Sequence, residues 1–302
     1  MVSIKMTLAG GDSVAKEKWM RGDGIEVKLI DMAYLTEESD EPRLVIEDSE
    51  LLEWALQRGI PPRTAQIDAL EAGIIPVRYL KNQSAISLSE QARICRSGVL
   101  ICGCGGLGGV LINLLARVGV GTLRMVDGDH FSPSNLNRQW LCDTEHLAQP
   151  KASVAEQRVR AINPLIEVEA FAQLLDETTG DQLLNGMDLV LDALDNLPGR
   201  FLLAEAAHRL GIPFIHGAAT GWWGQVSTFV SDSPLTLAAI YGAKRSRDPA
   251  EIAMGVLGPT PSVIGSLQAF EAIRLLCGRE PAYANRLLFF DGESGIMELI
   301  PL

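Results

Sequence analysis

The sequence predicts an α/β protein with a doubly wound, Rossmann-like and mainly parallel sheet, an antiparallel extension and a small N-terminal α/β appendage. Three observations predict it. A strand, a glycine-rich turn, a helix and a strand follow one another between Val99 and Asp127, strands then alternate with helices, and the chain ends in a hairpin pattern. Such alternation builds a parallel sheet with crossover helices, and a hairpin adds antiparallel strands. We place the appendage at residues 1–75 and the main domain at residues 76–302.

The appendage carries short elements but no motif that indicates its role. We predict strands at 3–8 and 25–30, an acidic loop at 37–41, and helices at 48–57 and 64–71. A charge run is usually a solvated face, so the acidic loop alone does not identify a partner.

The glycine-rich turn predicts a nucleotide site. Gly103, Gly105 and Gly108 match G-x-G-x-x-G between the apolar strand 99–102 and a helix. The first glycine permits a tight turn, the second lets the backbone approach phosphate, and the third allows close packing of helix on strand. The helix N-terminus then offers free N–H groups to an anion. Asp127, 19 positions beyond Gly108, stands where an acid accepts hydrogen bonds from a ribose.

The sequence of this turn allows two other interpretations. The glycines could serve packing alone, or the uncharged run 98–111 could enter a membrane. The run is shorter than the roughly 20 residues that a membrane span requires, and its glycines cluster as a turn. We therefore expect no membrane association.

The remaining elements of the main domain follow from periodicity and from helix stop signals. We predict helices at 89–97, 152–163, 177–184, 199–210 and 262–277, and strands at 121–127, 166–171, 189–191, 212–215, 225–230, 286–290 and 296–300. Residues 217–224 separate two of these strands, and residues 232–258 have the composition of a long loop. A loop of this length is commonly a lid or a binding segment.

Polar side chains gather in the loop that follows Asp127. This loop supplies hydrogen-bond donors and two cations, from Asn135, Asn137, Arg138, Gln139 and Lys151. Doubly wound folds bind ligands at the carboxyl ends of their strands. We therefore assign these groups to the phosphates of a nucleotide.

A second acidic loop follows the strand at 189–191. Asp195 stands where a metal ligand would, although it could instead cap the following helix, while Asp192 could stay buried and hydrogen-bonded within the loop. We favour Asp195 as the metal ligand.

Charge and composition limit the classes of partner. The net charge of −12 disfavours non-specific nucleic-acid binding and attraction to an anionic membrane. The N-terminus lacks a long apolar segment, so we expect a cytoplasmic protein. The five cysteines form no C-x-x-C pair, so we expect neither a disulfide framework nor a zinc site.

An ordered series of motifs carries a family resemblance. From about Arg78 onward the chain contains GCGGLGG, VDGD, SNLNRQW, QPK, INP, LDALDN, HGAATGWWGQV and VIGSLQAFEAIRLL. In this order they resemble the ThiF/MoeB/HesA family of adenylyltransferases, which is related to ubiquitin-activating enzymes. The resemblance implies ATP-dependent adenylation of the C-terminal glycine carboxylate of a small ubiquitin-like or sulfur-carrier protein. The products would be an acyl-adenylate and pyrophosphate.

The resemblance also assigns roles to individual residues. Asp127 would hold the ribose, Lys151 would neutralise charge on the α-phosphate, and Asp195 would bind Mg²⁺. Other nucleotide contacts would come from Gly103, Gly105, Gly106, Leu107, Gly108, Asn135, Asn137, Arg138, Gln139 and Asn196. Arg138 and Lys151 would be catalytic, together with Asp195 and Lys81. Family relatives act as dimers, so we expect a homodimer in which Lys81 reaches the partner's ATP site.

Three features depart from the family pattern. The paired C-x-x-C zinc ligands are absent, and so is a cysteine in the crossover loop at 231–258. The R-Y-x-R motif reads Arg78-Tyr79-Leu80-Lys81, and lysine lacks the bidentate fork of arginine. Cys142 lies near the nucleotide loop, and we interpret it as structural.

Other activities remain open at the level of the sequence. The carboxylate could belong to a peptide or to a modified tRNA, or the protein could be a catalytically idle nucleotide-binding scaffold. An NAD-dependent dehydrogenase would explain the glycine-rich turn but would leave Arg138, Lys151 and Asp195 without a common purpose.

Overall fold

The computed structural model describes residues 29–36, 42–230, 233–243, 246 and 254–302. The strand predicted at 3–8 and the acidic loop at 37–41 lie outside these residues. Residues 29–32 are helical, so the strand predicted at 25–30 is wrong at residues 29 and 30, and residues 25–28 lie outside the described residues. The chain divides into two compact units, Met1–Arg96 and Ser97–Leu302.

The first unit contains a three-stranded sheet in the order β1-β2-β3. Strands β1 and β2 are antiparallel, whereas β2 and β3 are parallel. The elements are β1 (Tyr34–Thr36), β2 (Arg43–Ile46), α1 (Asp48–Arg58), α2 (Pro62–Glu71), β3 (Ile75–Pro76), a 3-10 helix (Val77–Asn82) and α3 (Leu88–Arg96).

Local sequence explains where the helices of the first unit begin and end. Helix α1 ends at Gly59, whose left-handed backbone (φ 64°) suits glycine, and α2 begins with a proline at its first turn. Tyr79 is fully buried in the core, and its hydroxyl donates a hydrogen bond of 2.9 Å to Gln66. Arg78 pairs with Asp48. The Arg78-Tyr79 part of the R-Y-x-R motif therefore also stabilises this unit.

The second unit is built on an eight-stranded sheet in the order β11-β10-β9-β8-β7-β4-β5-β6. Strands β8, β7, β4, β5 and β6 are parallel, and β9, β10 and β11 extend them antiparallel. The strands are β4 (Gly98–Cys102), β5 (Thr122–Val126), β6 (Glu167–Phe171), β7 (Leu189–Asp192), β8 (Phe214–Thr220), β9 (Trp223–Phe229), β10 (Arg286–Asp291) and β11 (Ile296–Pro301). The predicted fold class is confirmed.

The strand order contains the switch point that positions ligands in doubly wound sheets. The chain runs from β4 outward to β5 and β6, then returns to place β7 on the other side of β4. Cys102 at the end of β4 pairs in register with Val126 on one side and Asp192 on the other. The loops after these three strands therefore meet at one edge of the sheet.

Helices cover the sheet and explain why its central strands read as continuous apolar runs. They are α4 (Gly106–Val118), α5 (Lys151–Ile162), α6 (Gly180–Leu184), α7 (Leu197–Leu210), α8 (Ala238–Tyr241) and α9 (Pro259–Leu276). Helix α4 packs against α5 and α9, and α6 packs against α7. Every residue of β4 is buried, as expected of a strand covered on both faces. Among the described residues, no helix is long and apolar enough to cross a membrane.

The hairpin β8–β9 differs from the prediction, which placed a loop at 217–224. The strands continue through most of this segment and turn tightly at Gly221 (φ 51°). Small residues that suggested a loop instead allow α9 to pack closely on the hairpin. A Cβ at Gly217 would overlap the amide of Gln268, and one at Gly224 would overlap Ile264.

Candidate active site

The glycine-rich turn lies between β4 and α4 and has the conformation that its glycines predict. Gly103 has φ 100°, and a Cβ there would lie 2.5 Å from the carbonyl oxygen of Ala193. A Cβ at Gly108 would overlap the carbonyl oxygen of Gly103, so helix and turn are in direct contact. No side chain caps the N-terminus of α4. Its first N–H groups are therefore available to an anion.

Asp127 follows β5 and fixes the turn from the opposite side. Its carboxylate accepts hydrogen bonds from the backbone N–H of Cys104 at 2.7 Å and of Asp129 at 2.8 Å. Burial raises the pKa of Asp127, while these two hydrogen bonds and the Lys151 charge act in the opposite direction. Each oxygen keeps a further lone pair. The carboxylate can therefore also accept hydrogen bonds from a ribose.

Two asparagines of the polar loop hold the loop in place. Asn135 is buried and forms a capping box with Ser132, whose backbone N–H donates to the Asn135 side chain at 3.0 Å. The Asn137 amide donates to the carbonyl of Val256 at 3.1 Å. Neither residue is part of the cleft wall as the structure describes it.

Arg138 and Gln139 do line the cleft. The Arg138 guanidinium is half-buried and donates to the Ser134 carbonyl and the Asn137 side chain, each at 2.9 Å. Gln139 is 6% exposed, and its buried Oε1 has no hydrogen-bond partner among the described residues. An unpaired buried acceptor is costly, so a ligand that donates to it would fit.

Lys151 is the first residue of α5 and is only 7% exposed. Its Nζ lies 3.1 Å from Oδ2 of Asp129, and its backbone N–H donates to the Asp129 carbonyl at 2.9 Å. A buried ammonium group needs a counter-charge. Asp129 supplies this counter-charge, a role that was not predicted from the sequence. The second acid of the VDGD motif could have indicated it.

The loop after β7 shows which residue caps α7. Asn196 caps α7, because its Oδ1 accepts a hydrogen bond of 2.9 Å from the Gly199 N–H. Asp195 is exposed, lies in the cleft wall, and makes a weak contact of 3.4 Å with the Asn196 amide. Its carboxylate is therefore not used for capping.

A buried charge network lies behind this loop. Asp192 is fully buried and hydrogen-bonded, as the sequence allowed. It accepts hydrogen bonds from the Leu194 N–H at 3.0 Å and from Arg200 at 3.2 Å. Arg200 also donates to the Gly217 carbonyl at 2.6 Å and to the Leu194 carbonyl. His216 joins the network through Nδ1, 2.7 Å from Asp192. Arg200 also lines the cleft, and no sequence motif indicated a role for it.

These groups enclose a cleft of about 240 Å³ at the switch point of the sheet. It brings together Gly103, Gly105, Gly106, Leu107, Asp127, Arg138, Gln139, Lys151, Asp195 and Asn196. Gly108 lies behind the turn, and Lys81 lies in the first unit, exposed on the 3-10 helix Val77–Asn82.

The cleft suits a nucleotide with its metal ion. Arg138, Lys151 and the uncapped helix N-terminus offer positive charge to phosphates. Among the described residues, no three His, Cys, Asp or Glu side chains form a metal cluster. Mg²⁺ is usually held by one or two carboxylates together with the phosphates. A single carboxylate, that of Asp195, is therefore enough for this ion.

The sequence matches the ThiF family over residues 79–302. It is 38% identical over 212 residues to the SAMP-activating enzyme E1 of Haloferax volcanii, covering 70% of this chain and 78% of the relative. It is also 38% identical over 208 residues to the sulfur carrier protein adenylyltransferase of Thermus thermophilus, covering 67% and 77%. With the mouse adenylyltransferase and sulfurtransferase MOCS3 it shares 34% identity over 248 residues, which span 53% of that relative.

Solved structures of other proteins have a similar fold. The E. coli MccB structure with ATP has a TM-score of 0.63 at 18% identity, covering 83% of this chain and 82% of that chain. The MccB structure with succinimide has a TM-score of 0.65 at 18% identity, with the same coverage. At this identity the likeness concerns the fold alone. Family match and named relatives together confirm what the ordered motifs predicted: the chain belongs to the ThiF family and is an adenylyltransferase.

Proposed function

We propose that this protein uses Mg·ATP to adenylate the C-terminal glycine carboxylate of a small ubiquitin-like or sulfur-carrier protein, with release of pyrophosphate. The observation that carries the proposal is the buried Lys151 ammonium group, which lies in the same cleft as the uncapped N-terminus of α4 and the exposed Asp195. The two relatives with 38% identity are named as a SAMP-activating enzyme and a sulfur carrier protein adenylyltransferase.

The reaction requires little proton transfer. A carboxylate oxygen attacks the α-phosphorus of ATP, the bond from that phosphorus to the bridging oxygen of the β-phosphate breaks, and pyrophosphate leaves. The nucleophile is already ionised, so no general base is needed. Two anions must approach each other, and catalysis therefore consists of positioning and of positive charge around the phosphates.

Each part of the cleft has a role in this step. Asp127 accepts hydrogen bonds from the ribose, and Gly105 and Gly106 let phosphate approach the backbone at the start of α4. Arg138 and Lys151, which both line the cleft, neutralise charge on the phosphates, and the family resemblance assigns Lys151 to the α-phosphate. Mg²⁺, held by Asp195, would supply further charge neutralisation.

The surroundings of the cysteines make them poor acceptors for the activated acyl group, so the nucleophile that receives it comes from another protein. Cys95, Cys102, Cys104 and Cys277 are buried. Burial raises the pKa of Cys95 to about 12 and raises the pKa of Cys102 and Cys104 as well. The pKa of the partly exposed Cys142 is also raised, mainly by desolvation. Thiols in such surroundings are poor nucleophiles.

Assembly and metal content complete the proposal. The protein acts as a homodimer in which Lys81 reaches the partner's nucleotide, as the resemblance implies, and it holds no stoichiometric zinc. Light scattering checks the first statement and elemental analysis the second. A monomer of 32.7 kDa at micromolar concentration would contradict the dimer.

Carrier-dependent exchange of labelled pyrophosphate into ATP tests the activity. Calorimetry separates it from the dehydrogenase alternative, because the protein should bind Mg·ATP far more tightly than NAD. If a short peptide or a tRNA supports exchange and a carrier protein does not, the substrate carboxylate belongs to that peptide or tRNA. ATP binding without any exchange would identify a nucleotide-binding scaffold.

A further inference from the structure

A second cavity of about 290 Å³ lies beside the nucleotide cleft. The two cavities share Arg200 and Ala219 in their walls. Trp223 and Phe289 give the second cavity aromatic walls, while Gln225 is one of its few polar groups. The arrangement of that amide follows from the buried network described above.

Asp192 fixes the tautomer of His216. Both residues are fully buried, and Nδ1 of His216 lies 2.7 Å from Oδ2 of Asp192. Arg200 and the Leu194 N–H also donate to this carboxylate, which therefore acts as an acceptor. Nη1 of Arg200 also lies 3.2 Å from Nδ1, but its two hydrogens are used by the Gly217 carbonyl and by Asp192. Nδ1 therefore carries the hydrogen in its 2.7 Å contact with Asp192. Burial lowers the pKa of His216, so the ring is neutral and Nε2 presents a lone pair.

The lone pair on Nε2 in turn fixes the amide of Gln225. The Gln225 nitrogen lies 3.1 Å from Nε2, and only the NH₂ group of an amide can donate there. The same nitrogen donates to the hydroxyl of Tyr241 at 2.8 Å. Tyr241 packs edge-on against the imidazole, with ring centroids 5.5 Å apart. The Tyr241 hydroxyl also lies 3.1 Å from Nε2. Whichever of the two groups donates to Nε2, an amide oxygen at this position would face the lone pair, so the NH₂ group of Gln225 faces His216 and Tyr241.

The amide oxygen is the group that remains. No hydrogen bond to Oε1 of Gln225 occurs within the part of the chain that the structure describes, and the half-buried residue lines the second cavity. A fixed acceptor among apolar walls favours an N–H donor over a charged or purely apolar group. The guanidinium group of Arg200, which also lines this cavity, does not donate to the Gln225 oxygen. It donates instead to Asp192 and to the carbonyls of Gly217 and Leu194.

We propose that Gln225 is a specificity-determining residue, whose amide oxygen accepts a hydrogen bond from a backbone N–H near the C-terminus of the acyl substrate. His216, held by Asp192, fixes the amide orientation. The inference rests on the proposed function, since a peptide-like chain must approach the nucleotide cleft with its carboxylate. The second cavity adjoins that cleft at Arg200 and Ala219 and is a suitable place for the last peptide bonds.

The test removes the substrate N–H and the protein acceptor separately. A sulfur-carrier protein ending in Gly-Gly is made with each of its last three peptide bonds replaced in turn by an ester, which deletes the N–H and keeps the carbonyl. Pyrophosphate exchange then gives KM for the carrier and for ATP. With wild type, one ester should raise the carrier KM about 3- to 10-fold, the scale of one hydrogen bond.

Two variants decide the residue and its orientation. Gln225→Leu should raise the KM of the all-amide carrier by a similar factor, leave the ATP KM unchanged, and no longer distinguish amide from ester. Gln225→Glu should also fail to distinguish amide from ester. Its carboxylate oxygen would be repelled by the lone pair of His216, so the side chain would no longer be held in the orientation of the Gln225 amide. Gln182→Leu, a change at an exposed glutamine on α6, should behave as wild type. Melting temperatures confirm that each variant is folded.

The outcomes separate the inference from the proposed function. Wild type without carrier-dependent exchange would refute the function itself. Active wild type that treats all three esters like the amide, or Gln225→Leu that still distinguishes them, would overturn the inference alone. A Gln225→Glu variant that keeps the distinction would contradict the orientation assigned through His216.

Discussion

The Lys151 ammonium group lies 3.1 Å from the Asp129 carboxylate, with the lysine buried and the aspartate exposed. This pair places an ammonium group and its counter-charge at the wall of a cleft that both residues line. Because Asp129 faces solvent, the pair leaves the lysine able to meet an incoming phosphate. The contact thus links the sequence motif VDGD to the chemistry at Lys151.

Lys151→Ala should reduce pyrophosphate exchange by about 10²- to 10³-fold, the scale of losing one electrostatic donor in a transition state. ATP affinity, measured by calorimetry, should fall much less. Arg160→Ala, at an exposed position on the same helix, is the matched control. Full exchange activity in Lys151→Ala would remove the lysine from the mechanism.

Asp195→Asn should lower the exchange rate and raise the Mg²⁺ concentration required for half-maximal activity, since the amide is a weaker ligand for a hard cation. Thermal stability should hardly change, because Asp195 does not cap α7. Asn196→Ala removes the cap and should cost about 1 kcal/mol of the free energy of unfolding. A rate and Mg²⁺ dependence equal to wild type in Asp195→Asn would contradict the assignment.

His216 should make the protein less stable below about pH 6.5. Burial lowers its pKa below the ordinary value of 6.5, so the unfolded chain binds the proton more readily than the folded one. The free energy of unfolding should therefore fall as the pH drops through this value, by at most about 1.4 kcal/mol per pH unit for one group. Urea unfolding at a series of pH values measures the slope.

Two variants identify the residue responsible for that slope. His216→Phe removes the titrating group and should flatten the dependence, whereas His208→Gln, at an exposed position on α7, should leave it in place. An unchanged slope in a folded His216→Phe protein would assign the effect to another group.

Gly108→Ala should destabilise the protein by about 1 to 3 kcal/mol, the usual cost of overpacking. The added Cβ would overlap the Gly103 carbonyl oxygen and force the turn away from the helix. Gly180→Ala is the control, because its Cβ would meet only Ala206 at an ordinary 3.6 Å. Equal unfolding free energies for both variants would mean that the turn tolerates the extra atom.

Local signals account for what the sequence predicted well. The alternation of elements and the glycine spacing depend on neighbouring residues. They located β4 and β5 to within about one residue and placed a helix between these strands. The cleft collects most of the assigned groups because parallel strands end at one edge. The division at residues 75 and 76 and the roles of the site residues remain predictions.

Tertiary packing accounts for what the sequence left unseen. The continuation of β8 and β9 depends on α9, which needs glycine at 217 and 224 to approach the hairpin. The contacts among Arg200, His216 and Gln225 join α7, β8 and β9, which only the topology brings together. Periodicity and spacing carry no information on such contacts.

Carrier-dependent exchange between labelled pyrophosphate and ATP tests the central claim most directly. Wild type should incorporate label only when a carrier with a free C-terminal carboxylate is present, and Cys142→Ser should retain that activity because adenylation needs no thiol. Lys151→Ala and Asp195→Asn should lose most of it. Full activity in both of these variants, or no carrier-dependent exchange in wild type, would contradict the account.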